Sequence, residues 1–176
     1  LNVPVYALLG GKMRDRIPLS YSIPFGTPEQ MAAFAAERVK AGHRTIKVKV
    51  GSEDGRRDVA AVRAIRDAIG ADVKLRVDGN MGWPNAKHAI RMIRQMEPYD
   101  IELVEQPLAA GDLDGMAEVR ENIGVPLMAD ESIRNPQSAM AVIRRKAADV
   151  ANVYVTEAGG LFNASRIFAM CEAASI

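Results

Sequence analysis

Two hydrophobic patterns alternate along the chain. Short runs rich in β-branched residues predict strands, and longer stretches with apolar residues three or four positions apart predict helices. The predicted strands are residues 17–23, 45–50, 73–78, 101–105, 126–130 and 150–155. The predicted helices are residues 28–41, 54–69, 85–96, 112–122, 136–146 and 160–174. Because a helix follows each strand, the pattern indicates a parallel sheet with helical crossovers.

The spacing of the repeat separates two architectures. Equivalent points on successive strands, beginning with Lys49, Asp78 and Glu105, fall 24 to 29 residues apart, and a (β/α)8 barrel has about 31 residues per unit. We therefore predict an α/β fold, a (β/α)8 TIM-type barrel with about six units present. Six units would leave strand edges unprotected, so we expect two further units to be missing from the chain. The alternative, an open doubly wound sheet, would need a glycine-rich loop after its first strand, and residues 22–27 contain only Gly26.

Composition and charge exclude several classes of protein. The chain has 176 residues, of which 48% are hydrophobic, and its net charge of +1 gives no reason to expect nucleic acid or a membrane as partner. Its one cysteine, Cys171, allows no internal disulfide. No apolar run reaches the ~20 residues of a membrane-spanning helix, and residues 1–9 lack a basic leader. We expect a soluble cytoplasmic protein that forms a homo-oligomer.

The second predicted strand carries two lysines on one face. Alternation places Lys47 and Lys49 together and puts Ile46, Val48 and Val50 on the face that would meet the helices of a barrel. We expect both lysines to point into the barrel, where mutual repulsion and burial would lower their pKa values and let one act as a base near neutral pH. The alternative is a solvated edge strand on which lysines simply alternate.

Carboxylates end the next three strands. Asp78, Glu105 and Asp130 each stand at a carboxyl end, where barrel active sites are built. Three converging carboxylates repel one another unless a cation lies between them. All-oxygen ligands favour Mg²⁺, with Mn²⁺ as the alternative, over zinc. The competing interpretation is that each acid caps the helix that follows it.

Polar residues flank these candidate ligands. Asn80 shares a face with Asp78, and Glu131 and Ser132 follow Asp130, so we expect them to support the metal ligands. For Asn80, turn formation is an equal alternative. On the sixth strand, alternation turns Tyr154 into the barrel opposite Lys49. It could donate a proton, bind substrate or fill space, and an unperturbed tyrosine pKa of about 10 favours the last two roles.

The ordered set of motifs resembles the enolase superfamily, and within it the muconate-lactonizing (muconate cycloisomerase) branch of the mandelate racemase/muconate lactonizing group. The segments that carry the resemblance are 47–49 (Lys-Val-Lys), 76–80 (Arg-Val-Asp-Gly-Asn), 105–107 (Glu-Gln-Pro), 129–132 (Ala-Asp-Glu-Ser) and 159–161 (Gly-Gly-Leu). Residues 3–6 and 8–12 also resemble the segment that leads into this family's barrel. We therefore expect residues 1–16 to be a lead-in from a missing capping domain and residues 17–176 to be a partial catalytic barrel.

The resemblance implies a specific chemistry. It implies a Mg²⁺ ion on Asp78, Glu105 and Asp130, with Lys49 as the base and Lys47 tuning it. The shared step is removal of the α-proton of a small carboxylate substrate to give a metal-stabilised enolate, as in cycloisomerases, racemases and epimerases. On this basis the chain is expected to be an isomerase.

One position departs from the family pattern. The branch usually carries a second lysine where this chain has Tyr154, so a two-base racemisation is in doubt, whereas one-base chemistry survives the change. Three functions remain open: an isomerase acting on a carboxylate, an acid-sugar dehydratase with the same metal and Lys49, and a truncated barrel that binds metal without turnover.

Overall fold

A computed structural model describes residues 1–52 and 54–176 and shows six strands, each followed by a helix. The strands are β1 (Ser20–Ile23), β2 (Thr45–Lys49), β3 (Lys74–Asp78), β4 (Ile101–Glu105), β5 (Leu127–Ala129) and β6 (Val150–Ala151). The helices are α1 (Val5–Leu8), α2 (Pro28–Lys40), α3 (Gly55–Ile69), α4 (Ala86–Met96), α5 (Leu113–Asn122), α6 (Pro136–Arg145) and α7 (Leu161–Ala173), with a short 3-10 helix at Glu97–Tyr99. All strands pair in parallel and in chain order. The predicted α/β repeat is confirmed.

Side-chain caps fix where the helices begin. Thr27 accepts a hydrogen bond from the backbone N–H of Gln30 and forms a full capping box at the start of α2. Asn85 caps α4 through the N–H of His88, and Asn135 caps α6 in the same way. Each cap satisfies a backbone donor that the helix itself leaves unpaired. The six predicted helices begin within one residue of their predicted positions, and these caps explain the starts of α2, α4 and α6.

One hydrophobic core joins the sheet to its helices. Ile46 and Val48 of β2 are fully buried with Leu75 and Val77 of β3, and they pack with residues of α3 and α4 such as Ile65. Lys47 and Lys49 lie on the opposite face of β2 and are only partly buried. The predicted alternation on this strand is therefore confirmed, and the lysines lie on the face of the sheet away from the helices.

A single arginine hydrogen-bonds two loops at the amino-terminal end of the sheet. The guanidinium of Arg66, in α3, donates hydrogen bonds to the backbone carbonyls of Tyr99 at 2.9 Å, Val73 at 2.7 Å, Asp100 at 2.8 Å and Gly70 at 2.6 Å. The loop that leads into β3 and the loop that leads into β4 are thus held by one side chain. These hydrogen bonds stabilise the amino-terminal end of the sheet.

The sixth strand is shorter than predicted. The sequence predicts residues 150–155, but β6 ends at Ala151, where pairing with β5 also ends. Beyond it the N–H groups of Ala158 and Gly160 bond back to the carbonyls of Tyr154 and Val155 at 2.9 Å each, which forms a turn. The prediction was wrong here because strand alternation continues only where a neighbouring strand supplies partners.

The amino-terminal residues are exposed. Helix α1 contains no buried residue, and Leu1 and Met13 are almost fully accessible to solvent. Strand β1 begins at Ser20 rather than at the predicted position 17. Among residues 1–52 and 54–176, none of the helices combines the length and the hydropathy needed to span a bilayer.

Candidate functional site

Strand register places two of the candidate acids side by side. Lys49 pairs with Asp78 across β2 and β3, and Asp78 pairs with Glu105 across β3 and β4. The next residue in this row is Met128, so Asp130 lies two residues further along, just beyond β5. The row stands at the carboxyl ends of the strands, where the loops can surround a ligand.

Lys47 bridges the two most deeply buried acids. Its Nζ lies 3.0 Å from Oδ2 of Asp78 and 2.9 Å from Oε2 of Glu105, while Asp78 and Glu105 are only 1% and 3% exposed. Since both oxygens bond the same nitrogen, they lie within about 6 Å of each other. Burial works to lower the pKa of Lys47, but the hydrogen bonds and charges of Glu105 and Asp78 outweigh it and raise that pKa above its ordinary value. The expectation of a lowered pKa was wrong for Lys47, because the neighbouring carboxylates matter more than the second lysine.

Lys49 has one charged and one neutral acceptor. Its Nζ donates to Oδ2 of Asp78 at 2.6 Å and to Oδ1 of Asn80. The other oxygen of Asp78 accepts the backbone N–H of Asn80 at 2.9 Å. The Lys49 side chain is 26% exposed and that of Lys47 is 19% exposed, so Lys49 is the more accessible of the two lysines.

The third acid is linked to the others through an amide. Nδ2 of Asn152, directly after β6, lies 3.1 Å from Oδ1 of Asp130 and 3.5 Å from Oε1 of Glu105. Burial, together with the negative charges of Glu105 and Glu131, raises the pKa of Asp130 to about 6, even though the positive charge of Lys47 opposes the rise. Negative charge around Asp130 is thus incompletely balanced by the protein itself.

The acids fit a hard divalent cation in chemistry, although not in their present arrangement. Within residues 1–52 and 54–176, no three His, Cys, Asp or Glu side chains are grouped so that they could hold a metal ion. Lys47 and Asn152 lie between the carboxylates instead. Asp78, Glu105 and Asp130 therefore stay predicted metal ligands because of the chemistry of their oxygen atoms, and not because of their grouping in this structure.

Gln106 holds the loop that carries Asp130. Its side chain is fully buried, and its Oε1 accepts the backbone N–H groups of Asp130 at 2.9 Å and Ser132 at 3.2 Å. Its Nε2 donates to the carbonyl of Leu108 and to the hydroxyl of Ser132, both at 2.9 Å. Sequence reasoning used this residue only as part of a motif and missed its role. In the sequence, Gln106 is a glutamine between a predicted strand and Pro107, and this position does not reveal which residues its side chain binds.

The loops after β2 and β3 approach each other too closely for side chains. A Cβ on Gly51, whose φ is +95°, would lie 2.6 Å from the carbonyl oxygen of Gly79. Asp58, at the start of α3, accepts the backbone N–H groups of Gly51 at 2.8 Å and Ser52 at 2.9 Å. The loops that follow Lys49 and Asp78 therefore form a closely packed rim.

Tyr154 stands apart from these linked side chains. It follows β6, and 60% of its surface is exposed. The hydrogen bonds and ion pairs that connect the lysines and acids of the described residues do not include it. Its role therefore stays a prediction.

The fold and this cluster together define a class of protein. The chain belongs to the Enolase C-terminal domain-like family, whose model matches residues 30–176. The family expected from the sequence motifs is thereby confirmed. The chain spans about half the length of the curated relatives it matches.

The relatives are epimerases, racemases and cycloisomerases. The L-Ala-D/L-Glu epimerase of Bacillus subtilis (strain 168) is 42% identical over 99% of this chain and 48% of its own length. Muconate cycloisomerase 1 of Acinetobacter baylyi is 36% identical over 100% of this chain and 48% of its own length. A crystal structure of the dipeptide epimerase from Enterococcus faecalis V583, complexed with Mg and the dipeptide L-Leu-L-Tyr, superposes with a TM-score of 0.94. That match is 38% identical and covers 98% of this chain and 48% of the other.

Proposed function

We propose that this chain forms the catalytic part of a Mg²⁺-dependent isomerase that removes the α-proton of a small carboxylate substrate. Lys49 is the base, and Asp78, Glu105 and Asp130 are the metal ligands. When bound, the ion would supply positive charge next to the substrate carboxylate as negative charge develops. The relatives support this chemistry, since an L-Ala-D/L-Glu epimerase, an N-succinyl-L-Arg/Lys racemase and a muconate cycloisomerase are each named for a compound that carries a carboxylate.

The observation that carries the proposal is that one ammonium group and one amide link three acids at the ends of neighbouring strands. Lys47 bonds Asp78 and Glu105, and Asn152 bonds Glu105 and Asp130. Helix caps would not need to share donors in this way, because each would bond the backbone of its own helix. The shared donors support a common site for the three carboxylates.

The two lysines have different tasks in this proposal. Lys47 is held by two carboxylates and keeps its proton, so it supplies fixed positive charge beneath the site. Lys49 has only one carboxylate partner and is more exposed. The amine that can reach a substrate is therefore that of Lys49, which accepts the α-proton and can return it.

Tyr154 makes one-base chemistry the form best supported here. Epimerisation by two opposed bases would need a group on the other face of the substrate carbon that exchanges a proton near neutral pH, and a phenol is a poor match for that task. Cycloisomerisation or syn elimination of water needs only Lys49 on one face. An acid-sugar dehydratase is therefore the second candidate function.

The central experiment measures exchange of the substrate α-proton with solvent. The full-length protein with Mg²⁺ would be incubated in D2O with L-Ala-L-Glu, a muconate and a set of acid sugars, and deuterium incorporation followed by NMR. We expect exchange or turnover with one class of probe, complete loss in Lys49→Ala, and Mg²⁺ affinity in calorimetry unchanged within about twofold. Lys87→Ala, a change at an exposed lysine on α4, is the matched control.

The outcomes distinguish the candidate functions. Exchange without loss of water supports the isomerase, and release of water from an acid sugar supports the dehydratase. Retained exchange in Lys49→Ala would show that the base lies elsewhere. Mg²⁺ binding with no exchange on any probe would support a barrel that binds metal without turnover.

A further inference from the structure

The side chain of Asn80 spans the mouth of the site between two elements. Its Oδ1 accepts a hydrogen bond from Nζ of Lys49, in β2, and its Nδ2 donates to Oε1 of Glu131 at 2.8 Å. Glu131 follows β5, so the amide connects the strand that carries the base with the loop that carries Asp130. This connection joins residues that are 82 positions apart in the chain.

The chemistry of the two partners fixes the orientation of the amide. An ammonium group has only donors and a carboxylate has only acceptors, so the oxygen of Asn80 must face Lys49 and its nitrogen must face Glu131. A reversed amide would place like groups together on both sides. Neither Asp nor Leu could make both contacts, which explains why a carboxamide stands here.

The backbone holds this amide in place before any ligand arrives. Asn80 has a φ of +41°, in the left-handed region that asparagine tolerates better than most residues. Its N–H donates to Oδ1 of Asp78 at 2.9 Å. Strain of this kind persists only where the surroundings over-determine the conformation, and it concentrates at functional sites.

Glu131 has an unused acceptor behind the amide. One carboxylate oxygen takes the amide of Asn80, while the other, Oε2, is buried and has no hydrogen-bond partner within the described residues. A buried acceptor without a partner costs free energy, so a structural role alone would favour a smaller or fully bonded side chain. The hydrogen bond from Asn80 gives a reason for a carboxylate at this position.

We propose that Asn80 is a positioning residue for Lys49 and that Glu131 holds Asn80 in its working orientation. The proposal rests on the proposed function, in which Lys49 is the base. Of the two acceptors of Lys49, Asp78 is also a candidate metal ligand, so Asn80 is the one that a bound cation would leave available. Because the oxygen of an amide only accepts, it takes an N–H of the amine and leaves the nitrogen lone pair free to face a substrate carbon.

A chemical-labelling experiment tests the positioning without reference to turnover. The Mg²⁺-loaded full-length protein would be treated with trace acetic anhydride, and acetylation of Lys49 measured by mass spectrometry relative to the exposed Lys87. We expect Asn80→Ala to increase Lys49 labelling about fivefold, the size of one hydrogen bond, because the amine is released. Asn80→Asp should decrease it by a similar factor, because a second carboxylate would hold the ammonium. Asn122→Ala, which removes an exposed amide on α5, should change nothing.

A double-mutant cycle tests the part played by Glu131. Glu131→Ala alone should increase Lys49 labelling in the same direction as Asn80→Ala. If the two residues act as one unit, the double variant will show no more labelling than Asn80→Ala alone. Independent, multiplying effects would overturn the role assigned to Glu131, and unchanged labelling in both Asn80 variants would overturn the whole proposal.

Kinetics separate positioning from binding. With whichever probe shows α-proton exchange, Asn80→Ala should lower kcat about tenfold and leave KM within about twofold, because Asn80 touches the base and not the substrate. A raised KM with unchanged kcat would make Asn80 a substrate contact and refute the inference. Failure of the proposed function would show differently: the wild-type protein would exchange no probe, while the labelling pattern would still report the contact with Lys49.

Discussion

Replacing Asp130 with asparagine should stabilise the metal-free protein while it removes a proposed metal ligand. In the folded protein, burial together with the charges of Glu105 and Glu131 raises the pKa of Asp130 from 3.8 to about 6. The folded state therefore resists ionisation of this carboxyl, whereas the unfolded chain does not. Asparagine keeps the Oδ1 that accepts from Asn152 and removes the charge.

The magnitude and the sign follow from proton linkage. Below pH 3.8 Asp130 is protonated in both states and imposes no penalty, the penalty grows between pH 3.8 and 6, and it is complete above pH 6. One pKa unit corresponds to about 1.4 kcal/mol, so the upper bound is on the order of 3 kcal/mol. Because Asp130 is only partly buried, solvent screens its charge, and we expect about 1 to 2 kcal/mol.

The assay is urea unfolding with EDTA present, at pH 5 and at pH 8. Asp130→Asn should raise the free energy of unfolding by about 1 to 2 kcal/mol at pH 8 and by clearly less at pH 5. In calorimetry at pH 8 the same variant should bind Mg²⁺ at least about tenfold more weakly than wild type. A gain in stability that is equal at both pH values, or a loss at pH 8, would refute the charge-repulsion reasoning.

Two further predictions concern the fold around the site. Arg66→Ala removes a guanidinium that binds four carbonyls and should lower the free energy of unfolding by at least about 2 kcal/mol in urea titrations. The control Arg63→Ala, at an exposed residue of the same helix, should change it by less than about 0.5 kcal/mol. Equal losses in the two variants would contradict the importance of Arg66. Gly51→Ala should lower the free energy of unfolding by more than about 2 kcal/mol, because the new Cβ would lie 2.6 Å from the carbonyl oxygen of Gly79. Gly70 also has a positive φ, of +76°, but no atom lies near its Cβ position, so Gly70→Ala should lower the free energy of unfolding by only about 1 kcal/mol. Similar losses for both glycines would show that backbone conformation, and not the close approach, sets the cost.

Local sequence patterns predicted most of the fold because their causes are local. Residues such as Thr27, Asn85 and Asn135 cap helices through bonds that span three positions, and alternation on β2 follows from strand geometry alone. The sixth strand was predicted too long because its length depends on pairing with β5, which no local pattern reveals.

The sequence predicted which candidate side chains lie at the carboxyl ends of the strands, but it did not predict their contacts. Strand ends identified Lys49 and the three acids, whereas the partners of each side chain depend on loops. Lys47 was expected to have a lowered pKa from its neighbour Lys49, but its pKa is raised by acids 31 and 58 positions away in the chain. The contacts of Gln106 likewise depend on its backbone φ of +30°. A glutamine between a strand and a proline in the sequence does not predict that conformation.

Under the proposed function, the bridge formed by Lys47 affects how the chain responds to a shortage of magnesium. Its ammonium acts as a built-in counter-ion for Asp78 and Glu105, the two acids that solvent reaches least. In the proposed function, a divalent ion that bound Asp78 and Glu105 would compete with Lys47 for these carboxylates, and this competition would weaken its apparent affinity. Because Lys47 pairs with both buried acids without any metal, removal of magnesium should abolish the proposed activity before it unfolds the chain.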